Sequence, residues 1–193
     1  MKTDIILAGV GGQGILTIAA AIGMAAVNKG LYLKQAEVHG MSQRGGDVQS
    51  NLRISDKPIY SDLVAKGCAD IIISVEPMEA LRYLPYLKKG GYVITNIVPY
   101  NNIPDYPETE LILDRINKLP FKIALDADQI AKETATARAS NIVILGAATP
   151  FLGLSLEELE GGIKSLFGSK GEDVVESNIK ALRAGYDFAK SKI

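Results

Sequence analysis

Two glycine-rich stretches hold the residue types best suited to chemistry. In "GVGGQG" (9–14) the glycines fall in the G-x-G-x-x-G spacing, between a short apolar run, "DIILAG" (4–9), and a helical pattern from Gln13 to Lys29. In that context the first glycine permits a tight turn, the second lets backbone approach a ligand and the third lets helix and strand pack closely. N–H groups at the helix start then face an anion, favoured by the helix dipole. Gly9, Gly11, Gly12, Gln13 and Gly14 are therefore candidate ligand-binding residues. A tight turn that binds nothing is the alternative. The second stretch, "EVHGMSQRGGDVQS" (37–50), follows what reads as the second strand of a nucleotide-binding βαβ unit. Glu37 stands 23 residues after Gly14, near the spacing expected of a ribose-binding acid. Beyond it, Ser42, Gln43, Arg44, Gly45 and Gly46 combine exposed N–H groups with a guanidinium, a receptor for phosphate or carboxylate. An ordinary surface arginine in a plain loop is the alternative.

Other chemistry is excluded by what the chain lacks. Its one cysteine, Cys68, cannot hold an iron–sulfur cluster or an internal disulfide alone, and is expected to pack as a small apolar residue. Its one histidine, His39, rules out an imidazole-rich metal site. A net charge of −1 argues against nonspecific nucleic-acid binding, which needs a cationic face. The weakly polar stretch from Gly14 to Val27 is too short to span a bilayer, and "MKTDIILAGVGG" enters a strand rather than a cleavable leader. A soluble, cytoplasmic protein without membrane partners is expected.

The elements that must position these loops follow from periodicity. Strands are expected at "DIILAG", "GLYLKQA", "DVQSNLRIS", "ADIIISV", "KKGGYVITN" and "FKIALD", with "IYS" able to return as a hairpin after "DKP". Helices are expected at Gln13 to Lys29, "EPMEALRYLPYL" and "TELILDRINKL", and "VPYNNIPDYPE" (98–108) reads as loop, with Asn101 and Asn102 as turn formers. "SNIVILGAATPFLGL" is apolar enough for strand or helix; a helix ending near Pro150 suits the helical tail that follows. Ser155, three residues before Glu158, opens a capping box. The last helix, roughly Asp173 to Lys190, puts Val175, Ile179, Leu182 and Tyr186 on one face. From Gln13 to Asn28 there is no charge, so the first helix needs cover on its outer side, from the C-terminal helices or from a partner subunit. The expectation is one domain, 1–193: a three-layer α/β/α fold with a mainly parallel, possibly mixed, sheet and a helical C-terminal part.

"GVGGQGI", "EVHGMSQRGGDVQSNLRIS", "ADIIISVEPMEALR", "SNIVILGA" and "NIKALRAGYDFA" occur in an order that resembles the gamma domain of 2-oxoacid:ferredoxin oxidoreductases over nearly the whole chain. Within that family "GMSQRGG" (40–46) resembles the indolepyruvate branch; pyruvate and 2-oxoglutarate enzymes tend to carry glutamate before RGG. The resemblance implies a subunit supporting conversion of an arylpyruvate, coenzyme A and oxidised ferredoxin to an aryl-acetyl-CoA, carbon dioxide and reduced ferredoxin. It also implies thiamine diphosphate, magnesium and iron–sulfur clusters in a larger partner subunit, which passes electrons to ferredoxin. This chain would bind none of them tightly: it has no Gly-Asp-Gly thiamine anchor, and "GGD" at 45–47 is the wrong order. Coenzyme A would be a co-substrate near both glycine loops. A gamma subunit acting on pyruvate, 2-ketoisovalerate or 2-oxoglutarate is the alternative, and a freestanding dinucleotide-binding module the remote one. A homodimer through the apolar face is compatible with the isolated chain.

Overall fold

A computed structural model describes residues 1–39, 46–101 and 103–193, with His39 described by its backbone alone. The apolar runs become strands because each buries both faces. In β1 (Lys2–Val10), Ile5 and Leu7 join one core cluster while Ile6 and Ala8 join another. β4 (Ala69–Ser74) divides likewise, Ile71 and Ile73 from Ile72. With β2 (Tyr32–His39), β3 (Asp47–Ser55), β5 (Leu87–Asn96) and β6 (Lys122–Leu125) they form one six-stranded sheet in the order β2-β3-β1-β4-β5-β6. β1, β4, β5 and β6 pair in parallel; β3 runs antiparallel to both β1 and β2. The sheet is mixed, as allowed for.

β3 is inserted between β1 and β2, so β2 has no ladder with β1. The simple βαβ unit read from the sequence is therefore opened by one strand. "IYS" forms no strand either: after β3 the chain crosses to β4 as a loop, bound by polar residues of β3. Arg53 donates to the carbonyls of Ser61 (3.0 Å) and Leu63 (3.2 Å), and Asn51 Oδ1 accepts from Val64 N–H (3.0 Å). Alternation identifies β3 as a strand but does not name its partner.

Helices cover the two faces unequally. The smaller cluster packs under α2 (Pro77–Arg82) and a 3-10 turn (Leu84–Tyr86), with α3 (Thr109–Asn117) against α2. The larger packs under α1 (Ile15–Asn28), α4 (Ala127–Thr134), α5 (Ser140–Ala148), α6 (Leu156–Phe167) and α7 (Glu172–Lys190). "SNIVILGA" is helical: Ile142 to Ala148 are all buried, because α5 lies between the sheet and α7. The α5–α7 contact is close. A Cβ on Gly146 would sit 2.0 Å from Leu182 O, and one on Gly185 1.9 Å from Val143 O. The capping box at Ser155 and Glu158 forms as expected.

The C-terminal helices do cover α1. Gly162 of α6 meets it backbone to side, its Cβ position 2.5 Å from Ala21 O. The cover is incomplete: Leu16 and Val27 stay exposed at opposite ends of a stripe that includes half-buried Ala20 and Met24. Among the described residues no helix is long and apolar enough to cross a membrane.

Candidate functional site

The "GVGGQG" turn joins β1 to α1 at the carboxyl ends of the parallel strands, the edge at which open α/β sheets bind ligands. Its glycines divide the work differently from the spacing rule. Gly9 lies within β1 and is the close-packing residue: a Cβ there would stand 2.4 Å from Val75 Cγ2 and 2.9 Å from Ile15 Cδ1. Gly12 (φ 101°) and Gly14 (φ 79°) supply the left-handed turn. Gly14 also abuts Asn141, whose Nδ2 donates to the Gly14 carbonyl at 3.1 Å. Gly11, expected to let backbone approach a ligand, donates its own N–H to the Gly46 carbonyl at 3.0 Å. Val10 N–H donates to Gln13 Oε1 at 2.8 Å, which folds the glutamine side chain back over the turn. No described residue accepts from the N–H groups of Gly12, Gly14, Ile15 or Leu16. They adjoin a cavity of about 310 Å³ lined by Gly11, Gly12, Gly14, Leu16 and Val48.

The second loop starts and ends at this edge. Val10 pairs with Asp47, so one foot of the second loop stands beside the glycine turn, tied to it by the Gly11–Gly46 bond; the other foot, His39, pairs with Val48 one strand further out. Ser42, Gln43, Arg44 and Gly45 themselves lie outside the described residues, as does Asn102. Glu37 is where the sequence placed it, near the end of β2, and its Oε1 accepts from Gln35 Nε2 at 2.7 Å. With β3 intervening, it lies two strand spacings from β1, roughly 9–10 Å. A ribose bound at the turn in the usual dinucleotide manner needs its acid on the adjacent strand, so the ribose-clasp reading fails.

Groups that no motif announced complete the edge. Glu76 caps α2 with no exposed surface. Its Oε2 accepts from Glu79 N–H (2.8 Å), and its Oε1 accepts from the Tyr106 hydroxyl and from Tyr100 N–H (3.4 Å). One carboxylate thus straps the 98–108 loop to α2. Burial pushes the Tyr106 hydroxyl well above the usual phenol range, reinforced by the Glu76 carboxylate that accepts its proton bond. Tyr83 is raised in the same way, by burial first and then by Asp47, whose Oδ2 its hydroxyl meets at 3.1 Å. Burial also raises Glu79 above the ordinary carboxylate range, although Arg82 donates to both its oxygens (2.7 and 3.2 Å). The sequence signal was slight: glutamate is an unusual helix cap, and only the proline after Glu76 marked a helix start.

Beside the turn, a crevice of about 340 Å³ brings Gln13 together with Asn96, Tyr100, Asp128, Lys132 and Ser140. Only Gln13 was singled out from the sequence; the others come from separate elements whose spacing carries no pattern. Cys68 is exposed rather than packed, in the turn before β4 where its N–H bonds Ala65 O at 3.1 Å. Among the described residues no three His, Cys, Asp or Glu side chains gather to hold a metal, and a lone exposed thiol does not fit an iron–sulfur cluster.

A family model described as pyruvate ferredoxin/flavodoxin oxidoreductase matches residues 4–188. The IorB subunit of an indolepyruvate oxidoreductase from Archaeoglobus fulgidus is 38% identical over 99% of this chain and 97% of that protein. Its counterpart from Pyrococcus horikoshii is 41% identical over 98% of this chain and 97% of that protein. A common gamma subunit of pyruvate and ketoisovalerate oxidoreductases from Pyrococcus abyssi is 32% identical over 93% of this chain and 92% of its own length. Among solved structures, the gamma subunit of a keto/oxoacid ferredoxin oxidoreductase from Geobacter sulfurreducens superposes with a TM-score of 0.71 at 26% identity, covering 98% of this chain and 99% of that one. A 2-oxoglutarate:ferredoxin oxidoreductase from Magnetococcus marinus, solved with 2-oxoglutarate, coenzyme A and succinyl-CoA, contains the same fold in 31% of its length (TM-score 0.77, 24% identity, 98% of this chain).

Proposed function

This chain belongs to the pyruvate ferredoxin/flavodoxin oxidoreductase family, and on that premise we propose that it is the smaller subunit of an indolepyruvate ferredoxin oxidoreductase. One observation carries the choice of branch. Identity to four IorB subunits is 33–41% over 98–99% of this chain, against 31–33% over 93% for common gamma subunits of pyruvate and ketoisovalerate enzymes. The reaction is R–CO–COO⁻ with CoA–SH and two oxidised ferredoxins, giving R–CO–S–CoA, carbon dioxide, a proton and two reduced ferredoxins. The C1–C2 bond breaks, the thioester forms, and the electron pair leaves one electron at a time.

The larger partner subunit carries thiamine diphosphate, magnesium and the clusters; the single cysteine and the lack of a Gly-Asp-Gly anchor here, and the lack of a metal-holding cluster among the described residues, support that division. The chain acts as one 1–193 unit in the cytoplasm. It contributes the glycine turn, Gly9 to Gly14, and the loop Ser42 to Gly46 beside the path of coenzyme A. A homodimer of the isolated chain fits the uncovered α1 stripe.

The assay is methyl-viologen reduction with indolepyruvate and CoA, run on each subunit and then on the mixture. Activity only in the mixture is expected. Turnover by this chain alone, or a mixture no faster than the partner alone, overturns the subunit assignment. In the assembled enzyme, Arg44→Ala should slow the CoA-dependent step by about ten-fold or more while decarboxylation is kept, since a charge-assisted hydrogen bond is worth roughly 1.5–3 kcal/mol. Equal losses in both half-reactions indicate an assembly role instead.

A further inference from the structure

β2 ends the sheet, and among the described residues its ladder runs to β3 alone. Edge strands are ordinarily guarded against other chains by shortness, a proline, a bulge or an exposed lysine. β2 lacks the first three. It is eight residues long, has no proline, and pairs with β3 in one unbroken register from Tyr32 opposite Ser55 to His39 opposite Val48. Its one lysine, Lys34, is drawn to Asp62 at 3.2 Å. Tyr32 and Val38, near the two ends of the strand and on one face, are 51% and 52% exposed. The uncovered stripe of α1 adjoins the same edge. A Cβ on Gly23 would lie 3.2 Å from Leu33 Cδ2, so this side of α1 leans on β2. Leu16, Ala20 and Val27 stand seven, three and four residues from Gly23 and share its side, whereas α6 meets α1 at Ala21 and Ala25. Edge and stripe form one surface.

We propose that this surface seats a second copy of the chain, paired β2 to β2 about a two-fold axis, with the two α1 stripes packed together beside the seam. Two six-stranded sheets then become one of twelve strands. The inference extends the homodimer reading above by giving it a surface and a register, and it stands apart from the reaction. Self-complementarity carries it. A surface that meets its own image must not set like charges together, and α1 has no charge to set. In β2, a two-fold axis normal to the sheet leaves each side chain on its own face, so residues that meet are an even number apart. Centring the pair on Gln35 puts Tyr32 against Val38 twice, Leu33 against Glu37 and Lys34 against Ala36. No charge opposes its like, and the two exposed apolar side chains cover each other. Centring it on Ala36 would put Lys34 against Val38 and leave Tyr32 beyond the end of the ladder.

The test measures mass by sedimentation velocity on the full chain over a range of concentrations. Amide exchange along β2 is followed in the same samples and in the complex with the larger subunit. A monomer–dimer equilibrium is expected, with the outward β2 amides slowed in the dimer and released on dilution. Tyr32→Lys and Val38→Glu should each weaken dimerisation by about ten-fold, since symmetry removes two cross-strand pairs at once. Val27→Lys should weaken it through α1. The double variant Tyr32→Lys/Val38→Glu should recover most of the loss, because opposite charges then meet across the axis. Within one chain those positions are roughly 20 Å apart and cannot pair. Leu111→Lys, exposed on α3, should change nothing. A chain that stays monomeric at every concentration overturns the proposal. So does a dimer indifferent to all three single variants, or a double variant no tighter than its parents. Protection of β2 only when the larger subunit is present seats that subunit there instead, and also overturns it. None of these readouts uses substrate, so a failed viologen assay refutes the functional reading and leaves the dimer standing.

Discussion

Glu76 shows how much one buried side chain can hold. Among the described residues its carboxylate has no cation beside it, only hydrogen-bond donors from α2 and from the 98–108 loop. Glu76→Ala removes a helix cap and strands a tyrosine hydroxyl, so a loss of at least about 2 kcal/mol in urea unfolding is expected. Asp4 has a partner of the opposite kind. Burial raises its pKa, but Arg53, donating at 2.7 and 3.2 Å, and Lys2 outweigh burial and hold the carboxyl below its ordinary value. A lowered folded-state pKa stabilises the protein fully above the unfolded value of about 3.9, and the contribution disappears as pH falls through the lower one. Asp4→Asn should therefore flatten the melting-temperature profile below about pH 4 while lowering it at neutral pH. At this scale the sequence was legible where a motif is local. The glycines of the turn and the Ser155 capping box could be read; Glu76, Lys132 and Ser140 could not, because the groups around them come from distant segments.

At the scale of elements, two neighbouring glycines in α6 make a controlled comparison. A Cβ on Gly161 meets nothing within 4 Å, whereas one on Gly162 would lie 2.5 Å from Ala21 O of α1. Gly161→Ala should stabilise by about 0.5–1 kcal/mol through helix propensity and a less disordered unfolded chain. Gly162→Ala should destabilise by about 1–3 kcal/mol, since backbone cannot yield as a side chain can. Gly146→Ala and Gly185→Ala should cost at least as much, because each drives a methyl into a backbone carbonyl across the α5–α7 crossing. Thermal melts of the four variants check the order. Apolar runs and 3.6-residue periodicity gave nearly every helix and strand; for α5, apolar all round, the helical tail that follows was the deciding clue. Periodicity does not encode pairing, and so the insertion of β3 between β1 and β2 had to come from the structure. That one insertion removes the ribose clasp at Glu37 and sets the Gly46–Asp47 foot of the loop beside the glycine turn.

For the whole molecule, the unequal covering of the sheet matters most. One face is closed by α2, the 3-10 turn after it and α3; the other needs five helices, four of which follow the last strand in the chain. Ending the chain after Gly171, which deletes α7, should leave a compact species that binds a hydrophobic dye and melts without a cooperative transition. Calorimetry and dye fluorescence would show it; a sharp melt would mean that α7 is dispensable. The same arrangement imposes an order in time. A ribosome adds roughly 5–20 residues per second, so for several seconds the finished sheet waits with Ile5, Leu7, Ile71, Ile73 and Ile94 bare while the closing helices are still being made. During that interval the nascent chain is exposed to misassociation, and a chaperone, or the partner subunit translated nearby, would find its greatest use there.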